Sequence, residues 1–269
     1  MKNLTKSILA GVFSVGSVAF AAPVTTTVAD NFVGAQDNIV PARDVIGDAN
    51  SFDISSTDVT IDRAAGTLSV KIATQWYDPT SNGTFNFGEG YDVQSGDLFI
   101  STNGWSPAGA APHSGDDASN GEALWEYVFD TSDGNIYGGA FGISKTQDEI
   151  VGPLISGDGS FAYRNNQEAR RSGGGTSTGS GTVNWSLAAD NSTAFVEYVL
   201  LLSQIGIVDP LNGTINLGFH WTMTCGNDVF EGGRLDEGGG GGGGEVPEPG
   251  TLLLAGLGLV GLGLRRRTK

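Results

Sequence analysis

The sequence predicts an all-β chain, a single antiparallel β-sandwich of jelly-roll type, on three observations. Short apolar runs repeat with a period of two, glycine-bearing turns separate them, and helical periodicity is almost absent. The expected helical pieces are peripheral: a signal helix at the N-terminus, a short apolar helix at the C-terminus, and one turn near Ser203 to Gly206.

The strands follow from alternation. Leu68, Val70, Ile72, Thr74 and Trp76 point one way while Ser69, Lys71, Ala73 and Gln75 point the other. Trp125, Tyr127 and Phe129 are expected on one face, with Glu126 opposite. Leu98 to Ile100, Ile136 to Tyr137 with Phe141 and Ile143, Val183 to Leu187, and Phe195 to Leu202 supply further runs. Ile215, Leu217, Phe219, Trp221, Met223 and Cys225 alternate with Thr214, Asn216, Gly218, His220, Thr222 and Thr224. That pattern puts His220 on a polar face and Cys225 on an apolar one. Turn chemistry falls between the runs at Ala65-Gly66, Asn82-Gly83, Asp133-Gly134, Asp158-Gly159 and Asn212-Gly213. After the last core strand, Gly226-Asn227-Asp228 reads as a turn before a short return. Ser172 to Gly181 reads as an exposed flexible loop, and Gly238 to Gly244 as a linker.

The N-terminus carries Lys2 and Lys6, an apolar run from Ile8 to Phe20, and the small-x-small triplet Ala19-Phe20-Ala21. This is the layout of a secretory signal peptide cut after Ala21 or Ala22. The run is too short, and with Gly11, Ser14, Gly16 and Ser17 too polar, to be a spanning helix of roughly 20 residues. The C-terminus has three parts in order: Val246-Pro247-Glu248-Pro249-Gly250, apolar Thr251 to Leu264, then Arg265, Arg266, Arg267 and Lys269. Two prolines one residue apart keep a segment extended and open to a processing enzyme. The basic cluster would stop transfer on the cytoplasmic side. A 14-residue helix reaches only about 21 Å, short of the ~30 Å hydrocarbon core, which suits a transient anchor.

This ending resembles the PEP-CTERM sorting signal of Gram-negative bacteria, whose motif Pro247-Glu248-Pro249 matches. The resemblance covers about the last 24 residues. It implies an exported protein, handled by signal peptidase and by an exosortase, held briefly in the inner membrane, and delivered to the cell surface or to an exopolysaccharide or biofilm matrix. The stretch His220 to Gly232 also looks like the end of the folded domain in a subset of such proteins. The resulting layout is a signal peptide over 1–21, an ectodomain over 22–237, a linker over 238–245 and the sorting signal over 246–269, with its short transmembrane segment at 251–264.

Composition bounds the ectodomain. The chain carries a formal charge of −16, and 29 acidic residues face 8 basic ones between Pro23 and Val246. Such a surface repels phosphates, so nucleic acid is excluded as a partner. A lone cysteine, Cys225, permits no intrachain disulfide, and its alternation marks it as a buried structural thiol. His113 and His220 are the only histidines, and no nucleophile elbow, H-E-x-x-H helix or Cys-His pairing is legible. The expectation is therefore a non-enzymatic protein with no cofactor and no catalytic residue. Two alternatives stay open. Glycan binding would use Trp105 and Asn103 in an exposed loop, and glycan cleavage a carboxylate pair that the many acidic residues do not single out. A Ca²⁺-stabilised adhesin would draw on Asp116, Asp117 or Asp78.

Overall fold

A computed structural model describes residues 22–34, 44–45, 49–76, 84–86, 92–114, 116, 124–142, 167, 169–171, 173–189, 193–224 and 226–238. The signal peptide, Asn82-Gly83, Ile143, Asp158-Gly159, Cys225, Asp78, Asp117, the glycine run beyond Gly238 and the sorting signal lie outside the described residues.

Two antiparallel sheets face each other. The first has five strands in the order β1 (Val24–Ala29), β2 (Ile54–Asp62), β3 (Thr67–Thr74), β11 (Ala194–Leu201), β10 (Thr182–Leu187). The second has six: β13 (Val229–Asp236), β12 (Ile215–Thr222), β6 (Leu98–Ser101), β7 (Trp125–Phe129), β8 (Asn135–Phe141), β9 (Thr176–Ser180). A small hairpin of β4 (Thr84–Asn86) and β5 (Asp92–Gln94) stands apart. Helical structure among the described residues is limited to α1 (Ala49–Phe52) and a 3₁₀ turn at Leu202–Ile205, close to the expected position.

The period of two explains the core. Val59, Ile61, Leu68, Val70, Ile72, Val196, Tyr198 and Leu200 project from the first sheet against Leu98, Ile100, Phe129, Ile136, Leu217, Phe219 and Trp221 of the second. Each large side chain contributes about 1.5–3 kcal/mol by leaving water. Tyr198 adds a polar link at the centre. Its hydroxyl accepts the Trp221 indole N–H at 2.8 Å, donates to the Gly96 carbonyl at 3.0 Å, and lies 3.0 Å from the Ser95 hydroxyl. Burial pushes the phenol up to about 12, so it stays neutral and available as a donor.

Two expectations need correction. Ser172 to Gly181 is not a flexible loop throughout: Thr176–Ser180 is β9, pairing with β8. Its Ser and Thr side chains are exposed because β9 is an edge, and Gly181 alone separates it from β10, carrying the chain from one sheet to the other. Trp125 also does not share a face with Phe129. A register shift between Trp125 and Tyr127 sets two steps of β7 against three of β8, an extra residue in β8, and across it Phe129 enters the core while Trp125 packs in a second cluster outside it.

Candidate functional site

The second cluster sits on the outward face of the six-stranded sheet. Phe99, Trp125, Val128 and Phe141 are buried there, with Trp105 and Tyr137 packed against them. His220 from β12 and Glu231 from β13 stand opposite each other across the ladder, both fully buried. The alternation that placed His220 away from the core is correct, but the face is not a wet one. The His220 ring contacts Phe99 edge-on at 5.5 Å and Trp125 at 5.9 Å.

The roof is the connection that follows β6. Gly104 bridges to Leu217, and the next residue, Trp105, sends its indole N–H to the Glu231 carboxylate at 3.2 Å. Two glycines paired in register, Gly218 and Gly233, make the seat. A methyl at Gly218 would stand 2.6 Å from the Gly104 carbonyl, and one at Gly233 would stand 2.7 Å from the Trp105 Cβ. Farther along, His113 has φ +58°, and its ring lies 5.5 Å from Trp105 and 6.1 Å from Phe32. The Val33 amide donates to the Pro112 carbonyl at 2.9 Å, tying the segment after β1 to the same roof.

Electrostatics follow from this enclosure. Glu231 lies 2.8 Å from Nδ1 of His220. Burial nevertheless pushes its carboxyl up to about 7; the His220 ring and the Trp105 N–H work against that rise, and the nearby Asp116 adds to it. Asp116 itself is buried and accepts the Ala108 amide at 2.7 Å. A second carboxyl behaves alike. Burial pushes Asp97 up to about 7, with Asp130 adding, although the Thr131 and Arg171 amides both donate to it at 2.9 Å.

The sequence-derived candidates thus divide. Trp105, expected in an exposed loop, is half-buried with its N–H engaged, because the paired glycines leave room for it to sink into the sheet. Asn103 is exposed, as expected, and its amide donates to Glu126 at 2.9 Å. Asp116 belongs to the roof. Sequence reasoning missed Glu231, whose signal was the alternation Val229-Phe230-Glu231 directly across the hairpin from His220.

It also missed a trio of carboxylates. Asp30 after β1, Asp44 and Asp228 before β13 each offer an oxygen within 4.8 Å of the others. Ca²⁺ binds oxygens at 2.3–2.6 Å, so ligands across one ion stand up to about 5 Å apart, and the spacing fits. Asp228 is oriented by the Ile54 amide at 2.6 Å and the Val229 amide at 2.9 Å.

Fold and site together define a two-sheet β-sandwich with one outward face roofed by its own loop. The PEP-CTERM protein-sorting motif matches residues 245–267. The chain therefore carries the signal of an exported protein sorted through an exosortase and associated with the cell surface. Neither a curated protein nor a solved structure matches it.

Proposed function

We propose that the sandwich is a non-enzymatic module displayed at the cell surface or in an exopolysaccharide matrix, held in the inner membrane by its C-terminal tail until the exosortase acts. One observation carries this reading: β13 ends at Asp236, and the chain runs within ten residues into the sorting motif at 245–267. The polar groups buried on the roofed face support a structural role, since His220, Glu231, Trp105 and Asp116 engage one another or the backbone instead of lining an open cleft. Mass spectrometry of exported protein tests the itinerary. The mature chain should end near Pro247-Glu248-Pro249; an intact terminus at Lys269 overturns the proposal. Release of reducing sugar from the matrix by purified protein would contradict the non-enzymatic part.

The carboxylate trio favours a second reading, a Ca²⁺-stabilised adhesin. Asp30, Asp44 and Asp228 would clamp the β1 end to the β12–β13 turn through the ion. Ca²⁺ at 100 times its Kd should stabilise by about 2.7 kcal/mol. Asp228→Asn should abolish that shift, and a melting temperature indifferent to Ca²⁺ and chelator rules this reading out.

A further inference from the structure

Seven large hydrophobic side chains are exposed among the described residues, and five gather at one end of the sandwich: Val24, Leu201, Val208, Leu211 and Leu235. Val208 is 83 % exposed and Leu211 and Leu235 close to 60 %. Arg63 organises this end. Its guanidinium donates to the carbonyls of Pro210, Gly213 and Asp236 and pairs with the Asp236 carboxylate at 3.1 Å, fastening the β11–β12 connection to the end of β13. Val24 lies beside Ile61 in the β1–β2 ladder and Leu201 beside Thr67 in the β3–β11 ladder, next to the same Arg63 turn. The chain leaves from here too, since the Gly238 amide donates to Asp236 at 3.1 Å.

From this placement we infer that the Arg63 end of the sandwich is a lipid-facing surface, resting on zwitterionic headgroups while the tail is inserted. The inference rests on the proposed membrane-held stage. Twelve residues separate Gly238 from Thr251, a reach of at most about 45 Å even when fully extended. A short tether sets an effective concentration in the millimolar range, so a contact too feeble to bind a free domain is populated here. The apolar side chains supply insertion into the headgroup boundary. Charge selects the headgroup: Asp236 is neutralised by Arg63 and Arg234, whereas Asp209 and Glu237 are exposed and acidic. Those carboxylates complement an ammonium headgroup and repel an anionic one.

The test uses the full chain with Cys225→Ser and one new cysteine carrying a fluorophore, reconstituted in phosphatidylethanolamine–phosphatidylcholine vesicles containing a headgroup nitroxide. A label at Leu211→Cys should be quenched at least threefold more than one at Asn184→Cys, an exposed position within β10 on the outward face of the first sheet. Adding Val208→Ser and Leu235→Ser should at least halve the quenching at 211. Equal quenching at 211 and 184 overturns the inference, and stronger quenching in phosphatidylglycerol vesicles overturns the choice of headgroup. A label at Leu252→Cys, read with an acyl-chain nitroxide, separates the two levels. If it is quenched while 211 is not, only this inference fails. If it is not quenched, the membrane-held stage fails and takes the inference with it. Melting temperatures within a few degrees of the parent's show that the labelled variants are folded.

Discussion

The two outward faces of the sandwich follow the same alternation and end in opposite environments. On the first sheet, Thr25, Thr60, Ser69, Val199 and Thr182 form one cross-strand row, and Thr27, Asp58, Lys71, Glu197 and Asn184 the next; every one is exposed or half-exposed. On the second sheet, the corresponding face carries Phe99, Trp125, Val128, His220 and Glu231, all buried. Connection length makes the difference. β2 and β3 are joined by the four residues Arg63 to Gly66, which can only turn, whereas the β6–β7 connection runs from residue 102 to 124 and folds back over its own sheet. A polar residue pointing away from the core therefore has no fixed cost: its environment is set by what the neighbouring connection can cover.

The largest test of that contrast is His220→Ala. It leaves the Glu231 carboxyl buried without its imidazole partner, at about 1–3 kcal/mol for an unsatisfied group, and empties the ring's place beside Phe99 and Trp125, which adds to the loss. Urea unfolding should show that loss, and a cost below about 1 kcal/mol would mean that the roof lifts readily to let water in.

Acidity comes next. Asp97 and Glu231 have folded-state values of about 7 against ordinary values of 3.8 and 4.5. The native chain thus keeps protons that the unfolded chain gives up across this window. Their combined contribution is greatest below about pH 4, falls as the pH rises from about 4 to about 7, and levels off above that. Each group accounts for a few kcal/mol, since every tenfold gain in proton affinity on folding is worth about 1.4 kcal/mol. Denaturation midpoints should fall between pH 5 and pH 7.5, and Glu231→Gln together with Asp97→Asn should flatten the profile. A profile that rises with pH would contradict the enclosed state of both carboxyls.

Trp105→Phe is milder. The ring is kept, and the bond from the indole N–H to Glu231 is lost, at about 1–2 kcal/mol for an acceptor left buried. The loss should shrink in a Glu231→Leu background, which has no acceptor, measured as a double-mutant cycle, because the two changes remove one interaction. Strict additivity would place Trp105 outside the Glu231 network.

These cases show where the sequence was legible. Alternation over 68–76 and 215–223 located the central strands, because each has one face in a core that admits only apolar side chains. Asp133-Gly134 and Asn212-Gly213 marked turns, and at both glycines the backbone has positive φ. Thr176–Ser180 escaped because an edge strand built of Thr, Ser and Gly has no buried face to impose a period. Trp125 departs from its expected face at a register shift whose extra residue lies in the partner strand β8, where the alternation of β7 itself carries no mark of it. The roofed site was the hardest to foresee. Glu231 and His220 are adjacent only once β12 and β13 are in register, and Trp105 reaches them only because Gly218 and Gly233 are opposite each other. The Asp30, Asp44 and Asp228 trio likewise depends on three segments far apart in the chain.

The smallest expected effect lies on the open face. The Lys71 ammonium stands 4.1 Å above the Phe195 ring, and the Ser69 hydroxyl donates to Glu197 at 2.6 Å beside it. Both interactions face solvent, where a cation over a ring is worth about 0.5–1 kcal/mol and exposed polar contacts little more. Lys71→Ala should cost no more than that, and Lys71→Met, which keeps the packed stem, less than half as much. A loss above about 2 kcal/mol would mean that this face is covered as well, and connection length would then no longer account for the contrast between the two sheets.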